Sequence, residues 1–471
     1  MEIVHPGTSR TVWRGEMASA DQVASAVARA RDSLARWRSM PASDRIGIAQ
    51  RFGALAAEQT DTLSRRISLE TGKPRWEADS EAKLIPAKVD LSLKAFSERS
   101  GNRRIDLPQG TGCVEYRPTG VMAVLGPFNF PAHLPNGHIV PALIAGNTVV
   151  FKPSEMTAGT GELMAELWNE AGLPDGVLQV VQGDRDVGQQ LVGCDIDGVL
   201  FTGSFAAGTA IHRSLVGRPH VLLALEMGGN NPLIVHRAAD LEAAAYLTAL
   251  SAYITAGQRC TCARRLILPE SPSNDALIDQ IARIARSIRV APPDEDPQPF
   301  MGTLISPDAA QRVLDVQQQL VDRGAKTIVE AQPVVANPAL LSPCLIDVSE
   351  FSDPIDEEVF GPILKVIRFP DFASAIRQAN QTSYGLSASL LYDDAELFDQ
   401  FRSEIRAGVV NWNQATIGAS GRLPFGGLGT SGNHRPSGYF AADYCSDSVA
   451  ILENATLKMP ATILPGIGVL E

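Results

Sequence analysis

Apolar positions in the first hundred residues recur at helical spacing. Val23, Val27, Ala30, Leu34 and Trp37 fall three and four residues apart, the stripe of an amphipathic helix. Ala87 to Arg99 repeats the pattern with Val89, Leu93 and Phe96 on one face. Between Arg103 and Thr119 the character changes, and Cys113–Tyr116 reads as a short strand between turns rich in Pro and Gly. From Gly120 onward short apolar runs alternate with helical patterns. The runs are Val121–Leu125, Thr148–Phe151, Val177–Val181, Val199–Phe201 and Val221–Leu225, with helices read at Gly161 to Ala171 and Val187 to Val192. Strands apolar on both faces and separated by helices predict a parallel, doubly wound sheet. Such sheets bind ligands at the carboxyl ends of their strands. A second series follows, with strands at Leu233–Val235, Leu266–Leu268, Ile363–Phe369, Ala388–Leu391 and Val409–Asn411. The tail carries a weaker strand at Val449–Leu452. The whole reads as an α/β chain: two doubly wound α/β domains, plus a small β element assembled from residues near 110 and from the tail.

Composition refines this picture. At 471 residues, 45% of them hydrophobic, the chain exceeds what one core serves, so two or three domains are expected. The net charge of −12 and the lack of a Lys/Arg block argue against nucleic acid as a partner. A small anionic substrate responds to local charge and stays compatible. Cys113, Cys194, Cys260, Cys262, Cys344 and Cys445 form no C-x-x-C pair, so neither a metal site nor a disulfide framework is expected. The first residues lack a signal-peptide pattern and no apolar run is long enough for a bilayer, so a cytoplasmic setting without a membrane partner is expected.

Several segments carry candidate chemistry. In Gly257-Gln258-Arg259-Cys260-Thr261-Cys262, a cysteine beside an arginine can be held partly as thiolate, the form that attacks carbonyl carbon. Either Cys260 or Cys262 could instead be a small buried apolar residue. Glu226 follows an apolar strand and precedes Gly228-Gly229. Burial there raises a carboxyl pKa and suits a general base, although a paired structural glutamate fits the same pattern. Asn129, within Gly126-Pro127-Phe128-Asn129-Phe130-Pro131, is either an oxyanion donor or a turn residue. Phe201-Thr202-Gly203-Ser204 runs from strand to helix and leaves first-turn N–H groups free for a pyrophosphate. Lys152 and Glu155, after another strand, suit a ribose or a solvated strand end.

Taken in order, these segments resemble the NAD(P)-dependent aldehyde dehydrogenase superfamily across essentially the whole chain. The set adds Glu358-Val359-Phe360-Gly361-Pro362 and Pro424-Phe425-Gly426-Gly427, and its joint order is highly specific. The resemblance implies Cys260 as nucleophile, Glu226 as general base, and Asn129 with the Cys260 N–H as the oxyanion hole. It implies NAD as cofactor, bound by Pro127, Phe128, Lys152, Ser154, Glu155, Gly203, Ser204, Gly208, Glu358 and Phe360. Glu155 is expected to favour NAD over a 2′-phosphorylated cofactor. The segments Glu70–Ala78, Pro135–Ala142, Ala256–Leu266 and Ser431–Ser437 resemble a branch of the family acting on a semialdehyde with remote carboxylates. That substrate needs local cations or donors, for which His133, Asn136, Arg259, His434 and Arg435 are the candidates. The implied division is 1–105 and 119–227 for the NAD-binding domain, 228–440 for the catalytic domain, and 106–118 with 441–471 for an oligomerisation element of a homodimer or homotetramer. Two departures stand out: the amino terminus lacks the opening strand-like stretch of most relatives, and Phe205 replaces a small or hydroxylated residue, so the cofactor turn is expected to differ in shape.

Overall fold

An antiparallel hairpin of β1 (Glu2–Val4) and β2 (Thr11–Arg14) opens the computed structural model, which describes residues 1–108, 110–334, 337–351, 356–459 and 463–466. The helical reading of this region passes over the hairpin, and the expectation that the amino terminus lacks an opening strand-like stretch is corrected by it; both strands are too short to show a period. Four helices follow: α1 (Ala20–Ser39), α2 (Ala42–Glu58), α3 (Thr60–Thr71) and α4 (Arg75–Arg99). The start of α1 is set by Ser19, whose hydroxyl accepts from Gln22 N while the Gln22 side chain returns to Ser19 N. Helix α4 begins a full three turns before the stretch its apolar stripe predicts, because its first half buries charged residues.

After β3 (Arg103–Leu107) and β4 (Gly110–Pro118) the predicted alternation sets in. Its elements are β5 (Val121–Leu125), α5 (His133–Ala145), β6 (Thr148–Lys152), α6 (Ala158–Glu170), β7 (Leu178–Val180), α7 (Arg185–Gly193), β8 (Gly198–Gly203), α8 (Phe205–Ser214) and β9 (Leu222–Met227). The five strands pair in parallel in the order β7-β6-β5-β8-β9. Successive strand residues feed two cores: Met122, Val124, Val149 and Leu200 pack under α2, α4, α5 and α6, while Val121, Ala123, Val150 and Val199 pack under α1 and α7. The strand order reverses between β5 and β8, which opens a crevice at their carboxyl ends.

The second series contains β10 (Asn231–Val235), α9 (Leu241–Tyr253), β11 (Ala263–Pro269), α10 (Pro272–Ser287), α11 (Pro307–Asp322), β12 (Lys326–Val329), β13 (Cys344–Asp347), β14 (Ile363–Phe369), α12 (Phe372–Asn380), β15 (Ser387–Leu391), α13 (Ala395–Glu404) and β16 (Val409–Trp412). They form a seven-stranded sheet, β12-β13-β14-β11-β10-β15-β16, parallel except for the edge strand β12. Strands β12 and β13 escape a hydropathy reading, since β12 is a mostly exposed edge and β13 only four residues long. The chain closes with β17 (Pro424–Phe425), β18 (Ser437–Gly438), α14 (Ala441–Tyr444) and β19 (Ser446–Glu453). Strands β19-β4-β3 make the expected small antiparallel sheet from residues near 110 and the tail. Residues 460–462 and 467–471 of that tail lie outside the described residues. Among the described residues no helix is long and apolar enough to cross a membrane.

Candidate active site

Between α9 and β11 the chain makes a sharp turn. Thr255, Ala256 and Gly257 are left-handed in succession, with φ of 57°, 50° and 72°. Glycine is required at 257, where a Cβ would lie 2.1 Å from the Gly361 carbonyl oxygen. Left-handed non-glycine residues cost about 1–3 kcal/mol each, so the surroundings must hold them. Gln258 accepts from Ile305 N at 3.0 Å, and Asn231 Nδ2 donates to the Cys260 and Cys262 carbonyls at 2.7 and 2.9 Å. Arg264 Nη2 donates to the Arg259 carbonyl at 3.0 Å, and Thr255 Oγ1 donates to Glu77. This turn leaves Cys260 half-buried and Cys262 fully enclosed.

Arg259 does not serve the thiol. Its Nη2 pairs with Glu77 at 2.9 Å, its Nε donates to Thr255 Oγ1 at 2.7 Å, and its guanidinium lies 5.0 Å from the Phe130 ring centre. The cation that favours a Cys260 thiolate is Arg264, opposed by the negative charges of Glu358 and Glu226. Desolvation outweighs them all and pushes the thiol up to about 12, so the expectation of a thiol held partly as thiolate by its arginine neighbour is corrected to a protonated thiol that needs a base.

Glu226 ends β9 and is buried, with Oε1 lacking a hydrogen bond. Burial pushes its carboxyl up to about 7, against the Ser437 hydroxyl and the Lys88 charge. Asn129, buried after β5, donates through Nδ2 to the Gln258 carbonyl at 3.0 Å. That bond ties the β5 loop to the cysteine turn and leaves the second amide N–H available, and the Cys260 N–H makes no hydrogen bond among the described residues.

The remaining cofactor candidates gather at the carboxyl ends of β5, β6 and β8 and on the loop before β14. Pro127 and Phe128 are half-buried, and Phe128 meets Phe360 edge-on at 5.9 Å. Lys152 is buried, donates to the Pro153 carbonyl at 2.9 Å and stands 3.6 Å from exposed Glu155. Ser154 accepts from Met156 N at 3.3 Å. Ser204 caps α8 by accepting from Ala207 N at 3.2 Å, and Gly203 precedes it. Gly208 serves packing, since a Cβ there would lie 2.4 Å from Met227 Sδ. Phe205 is exposed and meets Tyr384 edge-on at 6.5 Å. Glu358 accepts from Gly229 N at 3.0 Å, and its carboxyl is raised by burial against the Arg264 charge.

A cavity of about 630 Å³ opens on the other side of Glu226. It is walled by α4 (Leu84, Lys88, Leu91), by α5 (His133, Gly137, His138) and by the segment 419–425. Of the substrate candidates only His133 lines it, and burial with nearby cations pushes that imidazole down to about 3, so it is neutral. Asn136 is fully buried off the cavity, its amide making no hydrogen bond. Arg259 is engaged by Glu77, and His434 and Arg435 are exposed and off the cavity wall. Their neighbour Asn433 explains the segment differently: it bonds Leu225 N and the Leu223 carbonyl at 2.9 and 2.8 Å, pinning the tail to β9.

The sequence profile of the aldehyde dehydrogenase family matches residues 1–450. The chain belongs to the aldehyde dehydrogenase family. It is 49% identical over 466 residues to the N-succinylglutamate 5-semialdehyde dehydrogenase of Burkholderia thailandensis, covering 98% of this chain and 95% of that one. The enzyme of the same description from Paraburkholderia xenovorans is 48% identical over 464 residues, with the same coverage. Among solved structures, an NAD-dependent aldehyde dehydrogenase from Sinorhizobium meliloti superposes with a TM-score of 0.91 at 31% identity, covering 98% of this chain and 92% of that one. In this aldehyde dehydrogenase the motif reading passes over Lys88 and Asn231, and it takes in Glu77 and Arg264 only as members of their segments, without a role. Asn231 follows the Gly228-Gly229 motif closely enough to have been suspected; Lys88 carries no local signal.

Proposed function

We propose that the chain oxidises N-succinyl-L-glutamate 5-semialdehyde to N-succinyl-L-glutamate with NAD. The observation that carries the chemistry is the joint placement of a protonated Cys260 thiol and a buried Glu226 whose carboxyl titrates near 7. The substrate reading is supported by the relatives that share 48% and 49% of their residues with this chain.

The crevice fits NAD. The free N–H groups at the start of α8 suit a pyrophosphate, and Lys152 with Glu155 suits a ribose. Glu155 would accept from a ribose 2′-hydroxyl and repel a 2′-phosphate. Glycine at 228, where a Cβ would fall 1.7 Å from Glu358 Oε2, lets Glu358 and Phe360 close the site. Bound NAD supplies the hydride acceptor for conversion of the Cys260 hemithioacetal to a thioester.

The protein's own groups do the rest. Glu226, once ionised, takes the Cys260 proton, and the sulfur attacks the aldehyde carbon. The Asn129 amide and the Cys260 N–H donate to the resulting oxyanion. Glu226 gives that proton to solvent, then takes one from the water that attacks the thioester; the C–S bond breaks with its electron pair going to sulfur, which is protonated again as the acid leaves. Residues 1–105 and 119–227 then form the NAD-binding domain, 228–440 the catalytic domain, and 106–118 with 441–471 the element that joins subunits in a homodimer or homotetramer.

The test is a panel of carboxylated and uncharged aldehydes with NAD and NADP, run on wild type, Cys260→Ala and Cys262→Ala. The succinylated semialdehyde with NAD should give the highest kcat/KM, Cys260→Ala should form no NADH, and Cys262→Ala should retain turnover. Turnover by Cys260→Ala would remove the nucleophile assignment. Equal efficiency with uncharged aldehydes would remove the substrate, and equal use of NADP the role of Glu155.

A further inference from the structure

Lys88 is a buried cation without an oxygen partner. It is 6% exposed on α4 and makes no hydrogen bond or ion pair with any described residue. Other buried cations here have oxygen partners. Lys73 pairs with Glu81 at 2.7 Å, Arg264 bonds two carbonyls, and Arg265 bonds three. Lys88 lines the cavity together with Glu226, so its ammonium faces the space a substrate would enter, and the missing oxygen partner points to an anion that arrives there.

The surroundings of the amine are built to keep it free. On α5, a Cβ at Gly137 would sit in ordinary contact with Lys88 Cε at 3.5 Å and Nζ at 3.7 Å, so backbone rather than a polar side chain lies against the amine. His133 and His138 on the same helix are held neutral, pushed down to about 3 by burial and by the Lys88 charge. From β9 comes Glu226, which acts on Lys88 through space but not as an ion pair. Tyr444 on α14 bonds His138 Nδ1 at 2.9 Å, and the adjoining Cys445 thiol is pushed up by burial, so neither carries a charge. Asp90 and Lys94 on α4 and Arg422 on the facing loop complete the charged groups of the wall. Burial lowers the Lys88 ammonium only to about 8, which leaves it charged at neutral pH.

We propose that Lys88 is a specificity-determining residue that receives the substrate carboxylate nearest the aldehyde. The inference rests on the substrate reading above. In N-succinylglutamate semialdehyde that group is the α-carboxylate, a short carbon chain from the carbon that Cys260 attacks. Lys88 and Glu226 line the same cavity, and Glu226 is the base that serves Cys260 in the proposed reaction, so a substrate in that cavity meets both. A bound carboxylate supplies the missing partner; an uncharged aldehyde of the same length leaves the ammonium buried and unpaired, the arrangement that discriminates most strongly.

Steady-state kinetics of the full-length enzyme with NAD decide the matter, comparing wild type, Lys88→Met, Lys88→Gln and Lys88→Arg on the succinylated semialdehyde and on pentanal. Removing one partner of a buried charge pair predicts a loss of about 100-fold in kcat/KM on the charged substrate, carried by KM. The loss on pentanal should be far smaller than that on the charged substrate, circular dichroism should report that the variants fold, and Lys88→Arg should recover part of the loss. An equal loss on both aldehydes, or a displaced pH profile with KM unchanged, would overturn the proposal in favour of an action on Glu226. Undiminished use of the charged substrate by both Lys88→Met and Lys88→Gln would overturn it outright. If wild type prefers a different carboxylated aldehyde, the substrate reading fails separately and the same comparison on that aldehyde judges Lys88; a wild type preferring pentanal overturns both.

Discussion

Glu226 shows how one side chain is fitted to two proton transfers. Its carboxyl is raised from 4.5 to about 7 because burial disfavours the charged form, so it is neutral in acid and becomes a base as pH rises through neutrality. The rate should therefore climb through an apparent pKa near 7, and Glu226→Gln should remove that limb and the first burst of NADH, with the intact mass of the protein unchanged because the thiol keeps its proton. The same shift has a stability consequence. A carboxyl with a raised folded pKa contributes stability that is complete below its unfolded pKa and is lost as pH rises through the folded one. At pH 8 the ionised Glu226 thus costs on the order of 3 kcal/mol, from about 2.5 units of difference. Glu226→Gln should then resist urea better than wild type at pH 8 and match it at pH 4. A variant equally stable at both would show that the carboxylate is solvated in the folded protein.

Helix α4 organises the site as an element. Glu77, Glu81, Leu84, Lys88 and Leu91 are spaced by four, three, four and three residues, one side of a helix. Glu77 holds Arg259 and Thr255 of the cysteine turn. Glu81 caps α5 by accepting from Ala132 N and His133 N at 3.0 and 3.1 Å. Farther along, Leu84, Lys88 and Leu91 wall the cavity. Glu77→Ala should destabilise the enzyme by about 3 kcal/mol in denaturant unfolding, because it leaves Arg259 and Thr255 unpaired. It should also lower kcat on the order of tenfold to a hundredfold through a displaced turn, with KM for NAD unchanged; a wild-type kcat would show that the turn holds its shape without α4. Hydropathy could find this helix only from Ala87 onward, since the buried side of its first half is marked by carboxylates.

At the scale of the molecule, the two large sheets converge on the site while the third stands apart. In the β19-β4-β3 sheet, Ile105 and Leu452 flank Gly112 in one cross-strand row, 51% and 81% exposed. An apolar row open to water on a three-stranded sheet suits a subunit contact. Sedimentation velocity should show wild type as a dimer or tetramer, and Ile105→Asp combined with Leu452→Asp should yield monomer with the circular dichroism unchanged. A monomeric wild type would remove the proposed role of this sheet.

The sequence by itself determined the alternation of strands and helices, the small third sheet and the family, and it singled out Cys260, Glu226 and Asn129 as the candidates for the chemistry proposed above. These are legible because strand and helix periods repeat locally and because each motif is contiguous in the chain. Tertiary structure alone decided what surrounds them. It turned Arg259 from the thiol to Glu77, gave Arg264 the thiol's charge, withdrew Asn136, His434 and Arg435 from the cavity, and brought Lys88 to it. A side chain's charge is written in the sequence, but its partner and its access to water depend on which distant segments fold against it.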